Sequence, residues 1–171
     1  MKQSAMSKKI ILVVLSAFLM VNYIHAQPKG NTPEETYQWR IKQKKLHKVY
    51  IPADLAECFS ELDLKISKTS KAKFLSIDEN TAMKKLHYSL GKWIWYNWGF
   101  YDGSRLTVYM NKMGIYHPED MADFIIMGYH RYLKKSPIEP KELATFFKER
   151  RKELKEEAKK ARTAKNKEKK Q

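Results

Sequence analysis

The stretch HPEDMADFIIMGYHRYL, residues 117–133, decides the fold class. Pro118 follows His117 at a first helical position, where its missing N–H costs nothing. Glu119 and Asp120 put negative charge in the first turn, against the positive end of the helix dipole. Met121, Phe124, Ile125, Gly128 and Tyr132 then recur at helical spacing and predict one buried face. Working upstream, Ser104 is placed to cap a short helix carrying Leu106, Tyr109, Met110 and Met113, closed by Gly114. Ser76-Ile77-Asp78-Glu79 has the form of a capping box. After it Ala82, Met83, Leu86, Leu90, Ile94 and Asn97 share one stripe that stops at Gly99. Asp54 and Glu57 open a further helix with Leu55, Cys58, Phe59, Leu62 and Ile66 on its inner face. Lys65 to Lys73 reads as a basic loop containing Ser and Thr. No stretch shows the period-two alternation of a strand. The prediction is an all-α fold, a small four-helix core of about 85 residues, large enough to fold alone.

The rest of the chain is organised around that core. The 171 residues carry 34 Lys and Arg against 19 Asp and Glu, a formal charge of +15. By segment the charge is +7 over 1–49, zero over 50–133 and +8 over 134–171. The neutral middle is thus flanked by basic arms, and charge licenses association with polyanions without naming a function. Gly, Cys and apolar contents exclude collagen-like, disulfide-scaffold and wholly disordered classes. Pro28, Gly30, Asn31 and Pro33 mark a linker in 27–49, and Thr32-Pro33-Glu34-Glu35 is a capping box for a helix running to about Leu46. After Ser136-Pro137-Ile138-Glu139-Pro140, residues 134–171 read as a basic, partly helical tail. Leu143, Phe147, Leu154, Ala158 and Ala161 form a thin apolar seam in it.

Residues 1–26 are expected to be an export signal. Lys2, Lys8 and Lys9 precede the twelve positions Ile10 to Val21, apolar but for Ser16, and the small residue Ala26 offers a cleavage site. That run is short against the ~20 residues needed to span a bilayer. The expected location is periplasmic or secreted, with cleavage after Ala26. The alternative is an uncleaved membrane anchor, and no transmembrane helix is expected in the mature chain. The single Cys58 cannot close a bridge within its chain and, at its helical spacing, reads as a small buried residue; an intermolecular disulfide or a reactive thiol is the alternative.

Several strings together resemble an uncharacterised family of small bacterial domains, a domain of unknown function. They are Tyr50-Ile51-Pro52-Ala53-Asp54-Leu55-Ala56-Glu57-Cys58-Phe59 with Leu62-Asp63, Leu86-His87, Leu90-Gly91-Lys92-Trp93-Ile94, Asn97-Trp98-Gly99 and Gly103-Ser104-Arg105-Leu106. Gly114 to Met121 and Tyr129-His130-Arg131-Tyr132-Leu133 complete the set. The likeness runs from about Tyr50 to Leu133, with Trp95-Tyr96 more aromatic than the polar pair expected there. It implies no activity and no site residues.

Candidate chemistry therefore rests on the residues themselves. Trp93, Trp95, Tyr96, Trp98, Phe100 and Tyr101 crowd nine positions, and on a helix they cannot all face one core, since successive residues point about 100° apart. They predict either packing under the following loop or an exposed aromatic platform for a protein or glycan partner. Asp102-Gly103-Ser104-Arg105 is a turn into a helix start, where Arg105 could bind an anion or pair with Asp102 or Asp120. His87, His117, His130 and the adjacent Arg131 are the remaining polar candidates. The binding residues named by this reading are Trp95, Tyr96, Trp98, Tyr101, Arg105, His117, His130 and Arg131. No catalytic residue, metal ligand or cofactor is predicted: phosphate-loop, nucleophile-elbow and paired-Cys patterns are missing. The function expected is an exported binding domain with an aromatic-rich face and a basic tail suited to an anionic envelope surface. Nucleic acid is disfavoured as a partner. The alternatives are a periplasmic or secreted hydrolase using His and Asp of the core, and a structural protein of the cell envelope.

Overall fold

The computed structural model describes residues 32–168, and side chains to residue 166. The stretch expected to be an export signal, with its expected cleavage site at Ala26, and the last three residues lie outside the described residues. The chain divides into two compact units, 1–39 and 40–171. In the first, the capping box expected at Thr32 is formed: its N–H donates to Glu35 Oε2 (3.1 Å), and the Glu35 N–H donates to Thr32 Oγ1 (3.2 Å). It starts α1 (Pro33–Arg40).

The second unit is all-α but for a minimal hairpin. The helix expected to reach Leu46 stops at Arg40. The chain turns instead into β1 (Lys45–Leu46) and β2 (Val49–Tyr50), antiparallel with Leu46 opposite Val49. Burial of Leu46 and Ile51 stabilises this arrangement, which a lysine-rich helix could not provide. The connecting residues His47 and Lys48 take φ of 48° and 66°, the left-handed pair that a two-residue hairpin turn requires.

α2 (Leu55–Lys65) begins where expected, the Asp54 carboxylate accepting from the Glu57 N–H at 2.9 Å. Residues 65–73, expected as a loop, are mostly helix: Ser67 caps α3 (Lys68–Leu75), which buries Phe74. The cap of α4 (Glu79–Leu86) is Asp78, not Ser76. The stripe that reads as one helix from Ala82 to Asn97 is broken by a π-helical turn, His87–Gly91, before α5 (Lys92–Asn97). The wider turn rotates the stripe, keeping Gly91, Ile94 and Trp95 inward while Tyr88 and Tyr96 point out. Gly99, at φ 68°, ends this segment as expected. Ser104 caps α6 (Arg105–Lys112), and Gly114 at φ 84° closes it.

α7 (Pro118–Leu133) is the hub. Its residues 120–130 are all buried, and it packs against α2, α3, α4, the π turn, α5 and α8. α8 (Pro140–Glu168) is one continuous helix. Leu143 and Phe147 of the predicted seam are buried in the core, whereas Leu154, Ala158 and Ala161 are exposed. Cys58 is a free, buried thiol, and desolvation pushes its pKa well up, away from reactivity. Among the described residues no helix is long and apolar enough to cross a membrane.

Candidate functional site

A cleft of about 400 Å³ opens where the end of α5 meets the hairpin. The left-handed turn at Gly99 folds the chain back on itself, so Tyr96 and Asn97 form one wall and Tyr101 and Asp102 the other. Leu46, His47 and Val49 come from the hairpin, and Trp95 and Arg40 complete the lining. Trp95 is 9% exposed and forms a floor; Tyr96 and Tyr101 are 80% and 61% exposed and form a rim. The Arg40 Nε donates to the Gly103 carbonyl at 3.0 Å, and a terminal nitrogen lies 3.6 Å from Asp102 Oδ2. A Cβ at position 99 would stand 3.0 Å from that guanidinium, so glycine serves both the turn and the close approach of the arginine. The Tyr101 hydroxyl is held above the ordinary tyrosine range, first by partial burial and then by Glu119.

A second polar constellation lies between α7 and α8. Asp123, fully buried, accepts from Arg150 at 3.1 Å and meets His87 Nδ1 at 2.8 Å. Asp120, one turn earlier and also buried, takes a bidentate pair from Arg151, whose Nε stands at 2.7 Å. The same arginine lies 3.1 Å from His117 Nδ1. The Asp120 carboxylate raises the Arg151 pKa. A His–Asp pair is two-thirds of a nucleophilic triad, and among the described residues no hydroxyl or thiol is hydrogen-bonded to His87. The hydroxyls of Ser60 and Ser89 are spent on backbone carbonyls and that of Ser104 on Thr107. The His87 ring packs edge-on against Trp95 at 5.3 Å and Tyr88 at 4.5 Å. These charges neutralise one another in the core and fasten α8 to α7.

Of the residues singled out from sequence, Trp95, Tyr96 and Tyr101 converge on the cleft. Trp98 is fully buried and meets Trp93 edge-on at 5.7 Å. Arg105 pairs with neither Asp102 nor Asp120. Its Nε donates to the Ile51 carbonyl at 2.6 Å and a terminal nitrogen to Glu57 at 3.0 Å, while the guanidinium covers the Tyr50 ring. It staples the entry of the core to α6. Glu57, bound also by the Ala53 N–H and the Tyr50 hydroxyl, has its pKa lowered by these contacts, the backbone bond first. His130 is buried, with Nε2 2.9 Å from the Ile77 carbonyl and its ring against the edge of Phe74. Arg131 makes a bidentate pair with Glu79, both bonds 2.8 Å, and also donates to the Ile138 carbonyl. His117 and His130 lie near opposite ends of α7, about 20 Å apart at ~1.5 Å per residue. They form no common site. Arg40, His47 and Asn97 join the cleft without being named as site residues from sequence, and His47 comes from the turn of a hairpin with no Gly or Asn to signal it. Among the described residues no group of three or more His, Cys, Asp or Glu is arranged to hold a metal ion.

Residues 51–133 match the family model of a domain of unknown function (DUF6794). No curated protein and no solved structure matches the chain.

Proposed function

From the premise that residues 51–133 carry a domain of unknown function, we propose that the protein is an exported binding module whose cleft takes a glycan. One observation carries this reading: two tyrosine rings stand largely in water at the rim of a polar cleft floored by Trp95. Large amphipathic rings give contact area at low conformational cost. A pyranose presents an apolar C–H face that stacks on such rings and hydroxyls that pair with Asp102, Asn97, His47 and Arg40. The fixed Arg40–Asp102 pair supplies both a donor and an acceptor at one wall. Export rests on Lys2, Lys8 and Lys9 ahead of the apolar run to Val21, with Gln27 as the first mature residue. A hydrolase built on His117 and His130 draws no support from two side chains a helix length apart.

The test is calorimetric titration of the full chain with soluble cell-wall saccharides and neutral oligosaccharides, with indole fluorescence as a second readout. Tyr96→Ala and Tyr101→Ala are expected to remove binding and leave the thermal midpoint in place. Binding retained in the double variant, or no saccharide bound by the parent protein, overturns the reading. N-terminal sequencing of the exported protein checks for a start at Gln27.

A further inference from the structure

The exposed part of α8 sorts its residues into three strips, one basic, one acidic and one apolar. Lys148, Lys152, Lys155, Lys159 and Arg162 recur at spacings of four, three, four and three, which on an α-helix is one straight ridge. All five are exposed, and none forms an ion pair among the described residues. The ridge runs about 21 Å at ~1.5 Å per residue. Glu149, Glu153, Glu156 and Glu157 form a second strip, centred roughly a third of a turn around the helix from the ridge, with Lys160 among them. The seam that buries Leu143 and Phe147 against the core runs on the third side of the helix; past the core it continues as Leu154, Ala158 and Ala161, all exposed.

We infer that the basic ridge and the adjoining seam of α8 are a docking surface for an anionic lipid bilayer. Charge complementarity selects an anionic occupant, and the seam selects a bilayer over a soluble polyanion. A polyphosphate chain has no use for Leu154, Ala158 and Ala161, whereas a helix lying in a lipid interface buries such a stripe beside its cations and turns its acids to water. The surface is independent of the cleft and leaves the cleft free to take its ligand at the membrane.

The experiment is co-sedimentation of the full chain with vesicles of phosphatidylglycerol in phosphatidylcholine, and with phosphatidylcholine alone. The apolar run Ile10 to Val21 can bind either vesicle, so the readout is the difference between the two. The informative variant exchanges Lys155 with Glu157 and Glu156 with Lys159 (K155E, E157K, E156K, K159E), which keeps composition and net charge and breaks the ridge. At roughly fivefold per cation near an anionic surface, losing two cations from the ridge lowers the phosphatidylglycerol-dependent partitioning about 25-fold. Far-UV circular dichroism confirms that the helix is retained. Lys152→Ala with Leu154→Ser is a second variant, removing one cation and the largest seam residue, and lowers partitioning as well. Equal partitioning of parent and exchanged variant overturns the inference, since net charge alone would then suffice. So does tight binding of soluble polyphosphate with no preference for phosphatidylglycerol vesicles.

Discussion

Arg151→Met tests whether the first half of α8 is part of the fold. Methionine keeps most of the side-chain volume and removes the charge. The bidentate pair on Asp120 goes with it, leaving that carboxylate 4% exposed with only Arg150 at 3.8 Å. Removing one partner of a buried ion pair costs about 3–5 kcal/mol because the other charge stays buried and uncompensated. Water reaches the Arg151 side chain, 24% exposed, and Arg150 remains nearby, so the low end applies, about 3 kcal/mol. For a unit of this size that lowers the thermal midpoint by about 10 °C. Urea denaturation and calorimetry measure it, and a double-mutant cycle with Asp120→Asn isolates the pair. The double variant leaves no buried charge unpaired at this position, so it is expected to recover part of the loss. A single-variant cost below about 1 kcal/mol, the range of exposed pairs, or strictly additive effects refutes the argument.

Three further outcomes follow from the same geometry. Truncation after Arg151 is expected to leave the thermal midpoint nearly unchanged, whereas truncation after Ile138 strips the partners of Asp120 and Asp123 and the buried Leu143 and Phe147, and unfolds the core; thermal scans of the two proteins decide it. Glu139 has a raised pKa, first because its carboxyl shares a hydrogen bond with Glu142 and then because the two charges repel. A raised carboxyl pKa means stability that is complete below the unfolded value, about 4.3, and is lost as pH rises through the folded value. Glu139→Gln should therefore match the parent near pH 4 and gain on it as the pH is raised towards 7, read as midpoint against pH; a constant difference sinks the assignment. Gly99→Ala forces a Cβ into a left-handed φ and against Arg40, for a loss of about 2 kcal/mol in urea denaturation together with weakened ligand binding at the cleft.

The helices that carry the core were legible wherever a cap, an apolar stripe and a stop coincide: Asp54 before Leu55, Ser104 before Leu106 with Gly114 behind, Pro118 ahead of Met121. What escaped had weak local signals. α3 buries only Phe74, so its lysines outweigh any stripe and its cap at Ser67 is the sole cue. The hairpin turn puts His47 and Lys48 where Asn and Gly are the usual residues, and tertiary burial of Leu46 and Ile51 overrides that preference. The π turn has no pattern of its own; it shows as a stripe that stays apolar while crossing out of phase. Of the candidate site, the aromatic cluster was visible, but which rings are wet was not. The exposure of Tyr96 beside buried Trp95 depends on the turn at Gly99 and on a hairpin some fifty residues upstream.

The seam of α8 has one spacing and two fates, and α7 explains why. A helix buried along eleven consecutive residues has no solvent face for Asp120 and Asp123, so both carboxylates enter the core. Uncompensated buried charge is unaffordable, and the cations that meet it come from Arg150 and Arg151, one turn past Phe147. The need for α8 therefore ends where the acids of α7 end. Beyond Arg151 no buried acid calls for a cation, yet the lysines continue at the same period, turned to the side of the seam. The arginines are fixed by what lies inside the protein; Lys152, Lys155, Lys159 and Arg162 have no buried acid to meet, and the proposed bilayer surface is what would give their order a use. The physical boundary between fold and outward-facing tail thus falls between Arg151 and Lys152, within a continuous helix.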